Sequence, residues 1–336
     1  MRAGIKQVAE LAEVSTATVS HVINSTRFVS TETKEKVYRA MRELDYRPNA
    51  IAQSLRSQKS NTIGLIVPIL PSDTSNFFFM TVAQGIQMTL KRYGYHMLLS
   101  NNVNEELGDE QEQIKLFNTK QIDGLIIASI AEEVGYLNDI VHNQYPVVFI
   151  DRKPVGYKGD YVLADGYGGS LEAVRQLLEK GHRRIGFITG TLGISTSNER
   201  LEGYREALAQ QGVPYDPSLV MIANASFESG YLCAQQLLAS GDVTAVFVAN
   251  NVLTMGVVAC LQEKRIRIPD DLAVIGFDDY DWTKITSPPL TVIRQPSFEI
   301  GVTAAEVMMK RIEKRSEQQR HKEYRLPTTL IERGSC

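Results

Sequence analysis

The sequence predicts two architectures in one chain: a small all-α helix-turn-helix head at the amino end, and an α/β core of two doubly wound parallel-sheet lobes. Three observations carry that prediction. Apolar residues between Ile5 and Asn24 recur at helical steps on either side of a Val14-Ser15 junction. From Thr62 onward, short apolar runs alternate with amphipathic stretches. Near Val162 the alternation begins again, so the core reads as two similar rounds.

In the head, Ile5, Val8, Ala9 and Ala12 make the apolar stripe of one short helix, and Val19, Val22 and Ile23 that of a second. The Ser15 hydroxyl can cap the second helix, with Val14 before it and Val19 within the helix closing as a hydrophobic staple. Glu13 stands where such turns often carry Gly, and a positive φ there costs about 1 kcal/mol. Ser30 caps a third helix, whose Val37, Ala40, Met41 and Leu44 complete a three-helix core.

What the second helix shows outward is chemically specific. Thr16 and Ser20 lie one turn apart, as do Ala17 and His21, so hydroxyls, a methyl and an imidazole share a face of little bulk. Such a face fits a DNA major groove: hydroxyls bond base edges or phosphates, the Ala17 methyl meets a thymine methyl, and His21 reaches a guanine acceptor. An ordinary surface helix of a helical hairpin is the plain alternative.

Charge follows the same division. The first 60 residues carry 10 Lys/Arg against 6 Asp/Glu, whereas the remainder carries 26 against 33. A basic head on an acidic body suits contact with a polyanion, although a solvated charged face looks much the same. The longest apolar run, Ile63 to Leu70, is broken by Gly64 and Pro68 and falls short of the ~18 residues of a membrane span. The amino end does not resemble a secretory signal. Cys233, Cys260 and Cys336 are odd in number and far apart, which excludes a CxxC motif and suits a reducing cytoplasm.

Head and core meet in residues 48–61. After Pro48, Asn49 can cap a short helix, Ala50 to about Ser57, with Ile51 and Leu55 on one face. It is shorter than the ~12–15 residues needed for marginal stability alone, which makes it a candidate switch. A plain linker is the alternative. The core then reads as strands IGLIVPIL, YHMLLS, GLIIAS and PVVFID, with helices around Val82 to Tyr93, Glu110 to Asn118 and Glu133 to Asn143. The second round opens with a strand near VLAD and continues through RIGFITG, VMIANA, AVFVAN and DLAVIGFDD, with helices at Ser170 to Lys180 and Arg200 to Gln210. TVIRQP, a helix from Phe298 to about Lys314 and PTTLIER cross back and complete both rounds. The expected divisions are a head at 1–47, a linker at 48–61 and a core at 62–336. Within the core, lobe 1 covers about 62–161 and 293–322, and lobe 2 about 162–292 and 323–336.

VAELAEVSTATVSHVIN, YRPNAIAQSLR, QIDGLII, GHRRIGFITG, RLEGY, VIGFDD and PPLTVIRQP stand in this order along the chain. With them the chain resembles the lac-repressor family of bacterial transcription regulators over essentially its whole length. At the DNA-reading helix, STATVSHVIN followed by RFV looks like the purine and ribose repressors. The resemblance implies a homodimer, or a larger even oligomer such as a tetramer, on double-stranded palindromic operator DNA. Each head would place Thr16, Ala17 and His21 in a major groove, with Ser15, Thr18, Asn24, Ser25 and Arg27 near phosphates. The segment from Asn49 to Arg56 would be a hinge helix in the minor groove. There Asn49 and Ala52 would lie along the groove floor, and Leu55 would be a wedge between base pairs.

The same resemblance implies a periplasmic-binding-protein-like core with a small-molecule effector between its lobes. Ligands of such sheets sit beyond strand carboxyl ends, where Asp151, Asn250, Asp278 and Gln295 stand, and Arg200 opens a helix after a Gly/Ser/Thr loop. These groups suit sugar hydroxyls, and Arg200 could equally clamp a carboxylate. For each singly, capping or a strand-end turn is the plain alternative. Phe78, Phe79 and Phe227 match positions lining the family pocket. Two departures stand out: Asn251 replaces a common Asp, and Phe77 takes the place of a Pro.

The reading is a cytoplasmic DNA-binding regulator whose operator affinity is set by a sugar or sugar acid. The alternatives are a purine-type corepressor system and a sugar receptor feeding a transporter, which leaves residues 1–60 unexplained. No G-x-S-x-G elbow, Walker loop, HExxH or GxGxxG stands at a strand-to-helix junction, and the five His residues fall in no triad or metal spacing. No enzyme, metal or cofactor is therefore expected.

Overall fold

A computed structural model describes residues 4–24, 27–46, 60–69, 77–102, 107–119, 122–141, 145–314 and 320–336. The chain forms two compact units, Met1–Ser60 and Asn61–Cys336. No described helix is long and apolar enough to cross a membrane. The helix expected from Ala50 to about Ser57 lies outside the described residues.

The first unit contains α1 (Ile5–Leu11), α2 (Thr16–Asn24) and α3 (Thr31–Glu43). Val8, Ala9, Ala12, Val19, Val22, Val37 and Ala40 form its buried core, with Val14, Ile23, Val29, Met41 and Leu44 against them. The turn between α1 and α2 has a definite cause. Glu13 adopts φ +56°, its N–H bonds the Glu10 carbonyl at 3.2 Å, and the Val14 N–H bonds the Ala9 carbonyl at 3.0 Å. These bonds close α1 as a Schellman motif, and they hold Glu13 in the left-handed conformation expected there. Ser15 then caps α2, accepting the Thr18 N–H at 3.0 Å, and Ser30 caps α3 through Thr33.

In the second unit, the first sheet orders its strands β11-β5-β4-β3-β1-β2. They are β1 (Thr62–Val67), β2 (His96–Asn101), β3 (Gly124–Ile127), β4 (Val147–Ile150), β5 (Asp160–Ala164) and β11 (Glu323–Leu326), all parallel. The second sheet orders β12-β10-β9-β8-β6-β7. Its strands are β6 (Ile185–Thr189), β7 (Val220–Ile222), β8 (Ala245–Val248), β9 (Ala273–Phe277), β10 (Thr291–Arg294) and β12 (Thr329–Ile331). Only the β10–β12 pair is antiparallel. Helices cover the sheets: α4 (Phe77–Arg92), α5 (Leu107–Thr119), the single turn α6 (Leu137–Ile140), α7 (Gly166–Glu179), α8 (Ser195–Gln210), α9 (Phe227–Ala239), α10 (Asn251–Glu263), the short α11 (Asp281–Ile285) and α12 (Ser297–Glu313). β1 beyond Thr62 and the fully buried β3, β4, β6, β8 and β9 supply the apolar centre of each lobe, as sheets covered on both faces require.

The lobes divide differently from the sequence expectation. The strand near VLAD closes the first sheet instead of opening the second. β5 runs beside β4, Phe149 stacks on Tyr161 with ring centroids 5.3 Å apart, and buried Asp160 is held by Arg311 of α12. The chain therefore crosses after Ala164, again between β10 and α12, and finally between β11 and β12. Residues 323–326 belong to lobe 1 and 291–294 to lobe 2. β11 escaped the sequence reading because Glu323 and Arg325 break its apolar pattern. The helix expected from Glu133 to Asn143 shrinks to α6 because the Val134 and Val155 amides bond the Val155 and Glu132 carbonyls at 2.8 Å, holding that stretch extended.

α12 can return to lobe 1 because glycines let it lie against α4. A Cβ on Gly301 would stand 2.1 Å from the Val82 carbonyl oxygen, and one on Gly85 would stand 2.3 Å from that of Phe298. Gly301→Ala is expected to cost the core at least about 1–3 kcal/mol in urea denaturation. Gly108→Ala in α5, where a Cβ meets nothing within 4 Å, is expected to be neutral or slightly stabilising. Equal effects at the two sites would contradict the packing account.

Candidate functional site

The head presents Thr16 and Ala17 fully outward, with Thr18, Ser20 and His21 half-buried beside them. Ser15 is exposed; its hydroxyl lies 2.9 Å from that of Thr18 while capping the helix. No acidic residue stands in the first turn of α2, so its amide dipoles face outward without a resident carboxylate. Arg27 is exposed next to Phe28, which is 96% exposed and was not singled out from the sequence. Ser25, Asn49, Ala52, Leu55 and the side chain of Asn24 lie outside the described residues.

In the core, strand carboxyl ends bring charged groups together. Asp151 follows β4 and Asp278 follows β9, and each has a positive φ, +64° and +71°. Short acidic residues tolerate that conformation better than most, and the reversal ends each strand abruptly. Arg200, on the second turn of α8, lies within electrostatic range of both. It is 8% exposed, its Nη1 donates to the Ala249 carbonyl at 2.8 Å, and its guanidinium carbon sits 3.9 Å from the Phe277 ring centroid. Among the described residues its buried Nε has no hydrogen-bond partner. Burial pulls the guanidinium below its ordinary pKa, and the charges of Asp278, Asp151 and Glu199 oppose that fall. Burial likewise pushes the Asp151 carboxyl up, against the pull of Arg152 and Arg200.

Gln295, nearly buried after β10, donates to Asp278 Oδ1 at 2.7 Å. Asp151, Arg200, Asp278 and Gln295 therefore form one cluster joining both sheets. Asn250 stands next to the carbonyl that holds Arg200, and its own Oδ1 caps α10 through the Leu253 N–H at 3.0 Å. Phe78 and Phe79 meet edge to face at 5.1 Å on the first turn of α4, partly packed on the lobe 1 core. Phe227 begins α9 half-exposed; among the described residues no hydrogen bond or ring contact joins it to the cluster.

Sequence reasoning missed several groups here. Phe277, which floors Arg200, looked like any apolar strand residue. Tyr280 interacts electrostatically with Arg200 and meets Phe77 across the lobes, with ring centroids 5.1 Å apart. Asn251, noted in the sequence as a departure, is buried at the start of α10 and accepts the Trp282 indole N–H at 3.0 Å, so the amide in place of a carboxylate keeps that bond without a charge. Glu199 receives a bidentate pair of bonds from Arg325 of β11 at 2.8 and 2.9 Å. The Lys153 N–H donates to Ser195 Oγ at 2.9 Å. The Phe77–Tyr280, Arg325–Glu199 and Lys153–Ser195 contacts tie the lobes together. A cavity of about 220 Å³ between the lobes is lined among others by Glu132, Arg152, Lys153, Ser195 and Asn198, and not by Asp151, Arg200, Asn250, Asp278 or Gln295.

Residues 4–49 match the family described as bacterial regulatory proteins, lacI family, and residues 174–336 match a periplasmic binding protein-like domain. The HTH-type transcriptional repressor PurR of Vibrio atlanticus is 34% identical over 99% of this chain and 98% of its own length. The ribose operon repressor of Haemophilus influenzae is 36% identical over 95% and 94%. Among solved structures, a transcriptional regulator CelR-cellobiose complex covers 100% of both chains at 32% identity and TM-score 0.74. A lac repressor dimer bound to operator shares the fold, with TM-score 0.86 at 24% identity over 100% of this chain and 99% of that one.

An acid more easily protonated in the fold than in the unfolded chain weakens folding as pH rises from its ordinary pKa past its raised one. Asp151→Asn is therefore expected to raise the denaturation midpoint of the protein at pH 7. The gain should shrink as pH falls toward the ordinary carboxylate value of about 3.9. A gain undiminished at low pH contradicts burial as the cause.

Proposed function

Because the chain belongs to the lac-repressor family of bacterial regulatory proteins, we propose that it is a sequence-specific transcriptional repressor whose operator affinity is controlled by a small molecule. It acts as a dimer on a palindromic site. Each head reads base edges with Thr16, Ala17 and His21, while Ser15, Thr18, Asn24, Ser25 and Arg27 engage phosphates. The segment from Asn49 to Arg56, which lies outside the described residues, enters the minor groove as the family's hinge helix would, with Asn49 and Ala52 along the groove floor and Leu55 as a wedge between base pairs. The protein works in the cytoplasm and carries out no chemical conversion.

The observation that carries the effector assignment is the convergence of strand-end carboxylates from two lobes on one buried guanidinium with a donor left over. Donors and acceptors so arranged match a polyhydroxyl ligand, with Asp151 and Asp278 accepting and Arg200, Asn250 and Gln295 donating. Phe78, Phe79 and Phe227 supply flat apolar faces to a sugar ring. A sugar or sugar acid is the effector class favoured, in keeping with relatives named for ribose and cellobiose. A purine corepressor is the second reading, favoured by the paired Phe78 and Phe79 rings and by the relatives named PurR.

An effector that prefers one lobe arrangement shifts the spacing of the paired heads. A coupling of about 1–3 kcal/mol changes operator affinity usefully, because hinge helices this short are marginal without a partner. In a gel shift with a symmetric site selected from random duplex, the intact protein is expected to bind and residues 62–336 alone to lose specific binding. Retained specificity in the truncated core overturns the head assignment. In a thermal-shift screen of pentoses, hexoses, sugar acids, sugar phosphates and purines, stabilisation by purines alone decides for the second reading.

A further inference from the structure

Phe77 stands at the first turn of α4 in lobe 1, 54% exposed, with its ring against Tyr280 of lobe 2 at 5.1 Å and 44°. Both partners sit on fixed supports. α4 is packed against α12 through Gly85 and Gly301. The loop carrying Tyr280 is pinned on either side. Asp278 is held by Gln295, and the Asp279 carboxylate, 2% exposed, by Arg294 at 2.7 Å and Arg333 at 2.5 Å. Beyond Tyr280, the Trp282 indole bonds Asn251. Tyr280 also lies within electrostatic range of Arg200. The ring pair thus adjoins the cluster of strand-end charges, one residue before Phe78 on one side and two residues after Asp278 on the other.

We propose that Phe77 and Tyr280 form an aromatic clasp that holds the lobes together beside the effector cleft and sets how readily a ligand enters and leaves it. The ligand-gating part rests on the effector reading above; the clasp itself does not. The other contacts joining the lobes described here, Lys153 with Ser195, Arg325 with Glu199 and the charges of Asp151 and Arg200, are polar. An aromatic pair loses favourable contact on opening and gains none in return. Tilted pairs of this kind shift an equilibrium by about three- to tenfold.

The Lys153 N–H is a built-in reporter, because its bond to Ser195 crosses between the lobes and is lost when they part. Amide hydrogen exchange of the full-length protein, without DNA or added small molecule, reads the opening directly. In Phe77→Ala and in Tyr280→Ala the Lys153 amide is expected to exchange about three- to tenfold faster. The double variant should add no more, while amides of β3 and β8 stay unchanged. Phe77→Leu keeps bulk without the ring and should fall between. Unchanged Lys153 protection in either single variant, or single effects that multiply in the double, overturns the clasp. If the clasp holds but neither sugars nor purines stabilise the protein in the thermal-shift screen, the effector reading fails and the ring contact stands.

Discussion

The core is organised around a positive charge placed where water scarcely reaches. A buried guanidinium is tolerated only if anionic or carbonyl groups replace its hydration. Arg200 bonds one such group directly, the Ala249 carbonyl after β8, and feels the charges of two more, Asp151 after β4 and Asp278 after β9. No single sheet can supply all three, so two lobes must face each other with their strand ends inward. The three crossings of the chain between lobes maintain that arrangement, and Phe277 gives the guanidinium a π face to lie on. Desolvation raises the cost of every unmatched donor there, which is why the partnerless Nε matters: a ligand acceptor at that position gains a strong, well-oriented bond.

Much of this was legible in the sequence. Buried parallel strands read as continuous apolar runs, and IGLIVPIL, GLIIAS, PVVFID, AVFVAN and DLAVIGFDD could hardly be anything else. Helical spacing and two hydroxyl caps fixed the head. Glu13 was flagged because a turn of that length needs a left-handed residue, and it adopts one. What failed was assignment of strands to sheets. VLA is as apolar in one sheet as in the other, and only Phe149, Tyr161, Asp160 and Arg311, distant in sequence, decide its place.

The candidate site was legible in its polar members and opaque in its apolar ones. Asp151, Asn250, Asp278 and Gln295 stand at strand ends, where a charged or amide residue after an apolar run draws notice. Phe277 and Tyr280 give no such signal, since an aromatic next to a strand is most often core. Phe77 was noticed as a departure in sequence, and its contact with Tyr280 depends on how two separately folded lobes meet. Asn250 illustrates that the plain and functional readings can coexist: its Oδ1 caps α10 while its amide nitrogen remains a potential donor beside the Arg200 carbonyl contact.

The function proposed above requires that Arg200 convert occupancy of the cleft into a change at the DNA. Its most direct test is operator affinity of the full-length protein, with and without whichever sugar, sugar acid or purine stabilises it, compared between the natural chain and Arg200→Lys. Lysine keeps the charge but not the planar fork. The natural chain should change its operator affinity by about 5-fold or more on binding the small molecule. Arg200→Lys should bind operator equally well without it and respond little. A full response in Arg200→Lys contradicts the account.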